Sequence, residues 1–271
     1  LVTVEILATG DESPLGTATM RALAGGATAE GMKVSRTNKY VGQSDWLGIW
    51  GPGHVERGAA RVAQLENGKK VACWDIGYVH SHEKENPYMR VSVNHLHPRG
   101  YLLERTPSVP TRWNAHNIEL REDADPAGHV VVIGLGVKSR ESLNIHNWEL
   151  KHLRDTQLRF PDRRVLYRPK PQLKRDPHIL WEPRDGFSPI EDVLRGASLV
   201  ICRHSNVAVD ACIAGIPVEC EDGAAHWLYS RYPNPTKEQR LDFLCRLAHW
   251  QWTCLEMQQA WRFLQKVSAS L

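Results

Sequence analysis

Two apolar runs set close together constrain this chain most. Residues 198–202 read SLVIC and residues 216–219 read IPVE. Between them lie a polar turn, Arg203-His204-Ser205-Asn206, and a short helical stretch over 207–214 that Gly215 stops. That stretch is apolar on every side except at Asp210, so a helix there must be covered all round. Continuous apolar strands joined by a buried helix fit a parallel sheet layered between helices, not a sheet with one face in water. Just upstream, Ser188-Pro189-Ile190-Glu191 combines an N-cap Ser, a Pro at the first helical position and a Glu three residues after the cap.

The same alternation runs through the rest of the chain. Strands are expected at 1–9, 34–37, 46–50, 70–79 and 88–94, with helices at 13–32, weakened by Gly25-Gly26, and at 55–66. The acidic, Pro- and Gly-bearing segment 121–128 (REDADPAG) reads as a domain boundary, after which the pattern restarts. A strand at 130–133 runs into Gly134-Leu135-Gly136, a helix follows at 146–160, and a strand at 164–167 runs into Arg168-Pro169-Lys170-Pro171. Thr236 with Gln239, and Thr253 with Glu256, have capping-box spacing, and Met257, Ala260, Trp261 and Leu264 share one helix face. Strands separated by helices of 10–15 residues imply an α/β architecture with parallel sheets.

Composition narrows the class. At 271 residues, 42% hydrophobic and 24% charged, the chain buries a core without disulfide or metal staples. No run approaches the roughly 20 apolar residues of a membrane span, and no signal-peptide pattern opens the sequence. Cys73, Cys202, Cys212, Cys220, Cys245 and Cys254 form no C-x-x-C and sit mostly in apolar runs, as reduced thiols of a cytoplasmic protein do. His80/His82 and His95/His97 alternate as on a strand face, without a third ligand at a metal-site spacing. Net charge is only +3, yet residues 151–185 carry ten Lys/Arg against five Asp/Glu, a stretch suited to phosphates or to a solvated face. Trp, at ten residues, outnumbers Tyr and Phe; core filling explains most of them, with Trp74 nearest the expected chemistry.

Ligands of open α/β sheets bind beyond the carboxyl ends of the strands. There Gly134 and Gly136 would let a backbone approach a ligand, although the full G-x-G-x-x-G fingerprint is missing because Ser139 takes its third place. Arg168 and Lys170, on a loop stiffened by Pro169 and Pro171, suit a diphosphate. N–H groups near residues 205–209 would add a helix N-terminus, with Ser205 or Asn206 as cap or as phosphate donor. Asp210 needs a partner if buried: a ribose or sugar hydroxyl, Arg203 or His204.

Residues 188–218, SPIEDVLRGASLVICRHSNVAVDACIAGIPV, resemble the donor-binding half of GT-B glycosyltransferases. The resemblance implies two Rossmann-like domains facing a cleft: residues 1–126 on the acceptor side, residues 127–245 holding a nucleotide sugar, and residues 246–271 packing back on the first domain. It places the donor, a UDP-sugar first among candidates, against Gly134, Gly136, Arg168, Lys170, Arg203, His204, Ser205, Asn206 and Asp210. Asp75, which ends an apolar strand before Ile76-Gly77, becomes the catalytic base, with Arg90, Ser92, Asn94 and His97 lining the acceptor side. The paired-glutamate E-x7-E motif of many retaining members is absent, and Asp210 occupies the place of one acidic residue. Trp74-Asp75-Ile76-Gly77-Tyr78, Arg90-Val91-Ser92-Val93-Asn94 with His97-Pro98, and residues 247–253 (LAHWQWT) resemble a phage-encoded group of glycosyltransferase-like proteins. That implies hydroxymethylated bases of double-stranded DNA as acceptor, in the host cytoplasm. No tightly bound cofactor or metal site is implied, and a loosely held divalent ion stays open. The same fold also serves sugar-nucleotide epimerases and hydrolases, and the basic stretch suits a non-catalytic nucleic-acid-binding protein.

Overall fold

The computed structural model describes residues 1–170 and 179–269. In chain order the elements are β1 (Thr3–Leu7), α1 (Pro14–Ala29), β2 (Lys33–Thr37), β3 (Trp46–Trp50), α2 (Val55–Glu66), β4 (Lys70–Ile76) and β5 (Met89–Val93). Then come α3 (Gly100–Arg105), α4 (Pro110–Asn114), β6 (His129–Ile133), α5 (Val137–Leu143), α6 (Trp148–Arg159), β7 (Val165–Arg168) and α7 (Ile190–Leu194). The chain continues through β8 (Ala197–Cys202), α8 (Val207–Ala214), β9 (Val218–Cys220), α9 (His226–Tyr229), α10 (Lys237–Ala248), β10 (Gln251–Trp252) and α11 (Met257–Val267). Pro171 and the part of the basic stretch over 171–178 lie outside the described residues.

These elements form two compact units, Leu1–His116 with Cys245–Leu271, and Asn117–Leu244. The first division falls before the expected 126/127. The acidic segment belongs to the second unit because Arg121 N–H donates to the Ile213 carbonyl and Asp123 N–H to the Ala214 carbonyl, each at 2.8 Å.

The first unit is built on a sheet of order β10-β5-β4-β3-β1-β2. Its β1 to β4 are mutually parallel, whereas β5 runs antiparallel to β4 and β10 antiparallel to β5. This corrects the all-parallel expectation: the connection from β4 to β5 holds no helix, and a chain without a crossover can only return antiparallel. Helix α2 covers the face of Leu47, Ile49, Val71 and Cys73 with Ala60. Alternation sends Trp46, Gly48 and Trp50 to the other face, toward α1 and α11. There the rings of Trp46 and Trp261 meet edge-on with centroids 5.6 Å apart, and Trp261 Nε1 donates to the Leu23 carbonyl. The Gly25-Gly26 pair does not break α1. A Cβ on Gly26 would lie 2.5 Å from the Met257 backbone, so this glycine admits α11 to contact. The four residues expected on one face of α11 are all buried, and both capping boxes form, Thr253 with Glu256 and Thr236 with Gln239.

The second unit holds a fully parallel sheet of order β7-β6-β8-β9. Helix α6 packs one face through Val130, Val132, Leu153, Val165, Leu199 and Ile201. Helix α8 buries Ala208, Val209 and every residue from Ala211 to Ala214, and ends at Gly215 with φ +78°. One local expectation fails. Helix α7 is capped at Pro189 with no side-chain cap bond, because Ser188 is drawn instead to Asp185, whose carboxylate accepts the Ser188 N–H at 2.9 Å.

Candidate functional site

Both units repeat one topology. The second, first, third and fourth parallel strands of each lie side by side, as β2-β1-β3-β4 and as β7-β6-β8-β9. The direction of winding reverses between the first and third strands, and the crevice beyond their carboxyl ends is where such sheets bind ligands.

In the second unit that edge brings together Gly134–Gly136 after β6, Arg168 and Lys170 at the end of β7, and residues 203–206 after β8. The segments flanking the reversal touch, with Ser139 Oγ in the first turn of α5 3.2 Å from His204 Nε2. Beneath the glycine loop, Glu149 Oε1 accepts the Leu135 N–H at 2.9 Å and Arg140 Nη2 at 2.7 Å, and both charged side chains are buried. Gly134 is a glycine for packing: a Cβ there would meet Tyr167 Oη at 2.7 Å. Gly136 faces open space and starts α5.

The phosphate donors are arranged differently from the sequence expectation. Arg168 turns back on its own chain, donating through Nη1 to the Asp185 carbonyl and through Nη2 to the Ser188 carbonyl, 2.8 Å each. It therefore holds the 185–188 segment, and half-buried Lys170 stands beside it on the same edge. The N–H groups expected to be free at the start of α8 are consumed within the turn: Val207 N–H by Ser205 Oγ, Ala208 N–H by the Ser205 carbonyl, and Val209 N–H by the Asn206 carbonyl. Asn206 is the N-cap by position, without a side-chain cap bond, and Ser205 Oγ takes up the first helical N–H from the turn before it. Arg203 pairs with Glu221, which also accepts Trp148 Nε1 at 2.8 Å and lies 2.9 Å from His152 Nε2. Glu221 was not legible as a site residue, because its partners come from two distant segments, α6 and the turn after β8.

Asp210 meets neither Arg203 nor His204, and among the described residues its carboxylate has no hydrogen-bond partner. Burial, then the neighbouring carboxylate of Glu191, push its pKa up to about 7, with Arg121 opposing. A cavity of about 600 Å³ lies on the flank of β8 and β9, bounded by Phe160, Leu199, Ile201, Pro217 and Tyr229. None of the sequence-selected residues lines it.

In the first unit the reversal falls between β1 and β3, and it exposes a cluster that sequence reasoning missed. Arg57, buried at the start of α2, donates through Nη1 to Thr9 Oγ1, Asp11 and Glu12 at 3.1, 3.0 and 3.2 Å. His54 Nε2 lies 3.0 Å from Asp11. The Thr9 hydroxyl, then Arg57 and His54, hold the half-exposed Asp11 carboxyl below its ordinary range despite some burial. The available signals were Thr9-Gly10-Asp11 after one strand and Gly51-Pro52-Gly53-His54 after another. Gly10 and Gly51 have φ of +89° and +61°, turns that favour glycine.

Asp75 ends β4 opposite Arg90 of β5, whose Nη2 is 2.9 Å from its carboxylate. The expected open face of 90, 92 and 94 is partly closed. Ser92 is fully buried opposite Cys73, with its hydroxyl lacking a hydrogen-bond partner among the described residues. Asn94 turns the chain at φ +66°, accepting the Val71 N–H and donating to the Val71 carbonyl. His97 is buried with Nδ1 3.1 Å from the Tyr78 hydroxyl. Trp74 is fully buried and, by alternation, points to the opposite face from Asp75, so it belongs to the core. His80 lies in a loop rather than on a strand face. Burial pushes the Cys73 and Cys212 thiols up to about 12, which makes them inert packing groups. Among the described residues no three His, Cys, Asp or Glu side chains are grouped to hold a metal ion, and no helix is long and apolar enough to cross a membrane.

No protein-family model matches the sequence, and no curated protein matches it. Solved structures do match by fold. The KpsC β-Kdo 2,7 transferase of Thermosulfurimonas dismutans superimposes with a TM-score of 0.53 at 16% identity, covering 100% of both chains. The KpsC β-Kdo 2,4 transferase of the same organism gives 0.55 at 13% identity, over 92% of this chain and 91% of the other. The chain thus shares an α/β fold of two Rossmann-like units with these transferases.

Proposed function

We propose that the protein transfers a glycosyl group from a nucleotide sugar to a hydroxyl acceptor. The observation that carries this reading is the carboxyl edge of the second unit's parallel sheet, where Gly136, Lys170, Arg203, His204, Ser205, Asn206 and Asp210 come from three successive strand ends. Lys170 and Arg203 supply charge for a diphosphate or phosphate leaving group, and Ser205 and Asn206 supply side-chain donors. Arg168 acts by ordering the neighbouring segment, and the unpartnered Asp210 carboxylate is available to a ribose or sugar hydroxyl.

The first unit provides the acceptor side. Asp75, held by Arg90, takes the acceptor hydroxyl proton as the new glycosidic C–O bond forms and the bond from the anomeric carbon to the phosphate oxygen breaks. Asp11, fixed by Arg57 and His54, is a second carboxylate, at that unit's switch point, and is assigned to acceptor hydroxyls.

A UDP-sugar is the first donor to try, and hydroxymethylated DNA is one acceptor. The two structural neighbours, named as Kdo transferases, support adding an activated Kdo donor and saccharide acceptors to the screen. Titration calorimetry against a panel of nucleotide sugars, followed by product analysis with and without acceptor, tests the proposal. Binding by one donor and acceptor-dependent transfer are expected; no binding by any donor would overturn the reading. Turnover of donor alone would identify a hydrolase or epimerase instead.

A further inference from the structure

The cavity of about 600 Å³ in the second unit takes no part in the chemistry above, and the topology explains why it exists. A right-handed crossover from β6 to β7 puts α5 and α6 on one face of the sheet. The step from β8 to β9 runs the opposite way along the sheet, so its crossover helix α8 lies on the other face. The α6 face of β8 and β9 is therefore left to whatever follows β9, and that is the four-residue α9. The flank stays open over Leu199, Ile201 and Pro217, with Phe160 at the end of α6 and Tyr229 of α9 as walls.

Two ion pairs cross this opening from α6 to the end of the sheet. Arg159 pairs with Glu219, and His152 Nε2 lies 2.9 Å from the carboxylate of Glu221, just beyond β9. All four side chains line the cavity. Glu219 stands beside Ile201 in the parallel register, so both side chains leave the same face of the sheet. Arg159 and Glu219 are half-exposed, and a pair so open to water is weak enough for a ligand to displace.

Charge is unevenly spread along the cavity. The guanidinium carbons of Arg159 and Arg163 lie 4.7 and 4.9 Å from the centroid of the Phe160 ring. Among the described residues Arg163 has no carboxylate partner. Its Nη1 donates to Ser198 Oγ at 3.0 Å, a neutral hydroxyl that itself donates toward the Gly128 and His129 carbonyls. At this end two guanidiniums thus face the single carboxylate of Glu219, beside an apolar floor. At the other end Glu221 is already held by Arg203.

We propose that this cavity binds a small apolar carboxylate. Its hydrocarbon body lies on Leu199, Ile201 and Phe160, and its head sits on Arg163 and Arg159, where it takes the place of Glu219. An amine head is repelled by that end, and an alcohol head forfeits the charge-assisted hydrogen bonds. This inference does not depend on the glycosyl-transfer reading, because binding is read with neither donor nor acceptor present.

The test is titration calorimetry of the whole chain with octanoate, octanol and octylamine, which share a hydrocarbon body and differ only in the head. Saturable binding of octanoate at a single site is expected, with octanol about tenfold weaker, the worth of one charge-assisted hydrogen bond, and octylamine weaker still. Arg163→Gln should weaken octanoate about tenfold and leave octanol unchanged. Glu219→Gln removes the internal competitor for Arg159, so octanoate should bind about threefold more tightly, in keeping with the small worth of an exposed pair. Thermal midpoints close to that of the wild type show that both variants fold. No saturable binding of octanoate, octanol binding as tightly as octanoate, or Glu219→Gln binding octanoate no more tightly than the wild type would each overturn the proposal.

Discussion

Asp75 and Arg90 stand directly opposite each other on β4 and β5, with Arg90 Nη2 2.9 Å from the Asp75 carboxylate. The guanidinium orients the carboxylate, and both groups keep some exposure at the strand end. Asp75→Asn preserves size and can still hydrogen-bond, so folding and donor affinity should be unchanged. Turnover should drop by about 100-fold or more, the range of a lost general base. Steady-state transfer assays paired with donor titration check this. Full activity in the variant would move the base elsewhere, with Asp11 the next carboxylate to replace.

The buried Arg140–Glu149 pair makes a stability prediction with a functional consequence. Glu149→Leu removes the charge partner of Arg140 and the acceptor of the Leu135 N–H together. Leaving a buried charge uncompensated costs about 3–5 kcal/mol. Urea denaturation should show that loss, and Arg140→Met added to Glu149→Leu should recover part of it. If the glycine loop contributes to donor binding, the single variant should also bind donor more weakly at temperatures where it remains folded.

Two adjacent glycines of α1 should respond oppositely to one added methyl group. A Cβ on Gly25 has no atom within 4 Å, so Gly25→Ala should stabilise by about 0.5–1 kcal/mol through helix propensity and reduced unfolded-state freedom. Gly26→Ala drives its methyl into the Met257 backbone at 2.5 Å, and backbone cannot rotate away. That variant should lose about 1–3 kcal/mol by overpacking and lower the thermal midpoint. Equal midpoints for the two would mean that α11 does not seat on Gly26.

Legibility followed the range of the determining interactions. The runs at 46–50 and 55–66 match β3 and α2 residue for residue, because alternation and helical period are written locally. The same holds for α8, whose apolar residues surround it and whose Gly215 ends it. By contrast, β10 is a strand only because Gln251 and Trp252 pair with Arg90 and Met89, and nothing local to the tail announces that. The antiparallel turn of β5 depended on the missing helix in residues 77–88, and the two histidines there read as strand when they are loop. At the candidate site the residue types were visible at each strand end, but their partners were not. Arg168 is used by Asp185 and Ser188, the α8 N–H groups are used within their turn, and the Asp11–His54–Arg57 cluster exists only because β1 and β3 are neighbours at the reversal.

The lone carboxylate of Asp210 provides a pH test. Its pKa in the folded protein is raised to about 7 by burial and by Glu191, whereas an unfolded Asp titrates near 3.9. Between those values the native state binds a proton that the unfolded chain does not. This group's contribution to stability therefore falls as pH rises from about 4 to about 7, and the loss is complete above that. Asp210→Asn has no proton to lose. Relative to the wild type it should grow more stable over that interval and keep a constant advantage at higher pH, as read from urea midpoints at each pH. A saturating nucleotide-sugar donor whose hydroxyl satisfies the carboxylate should shrink that advantage by stabilising the wild type more than the variant. A gap unchanged by every donor tested would show that Asp210 is not a hydroxyl ligand.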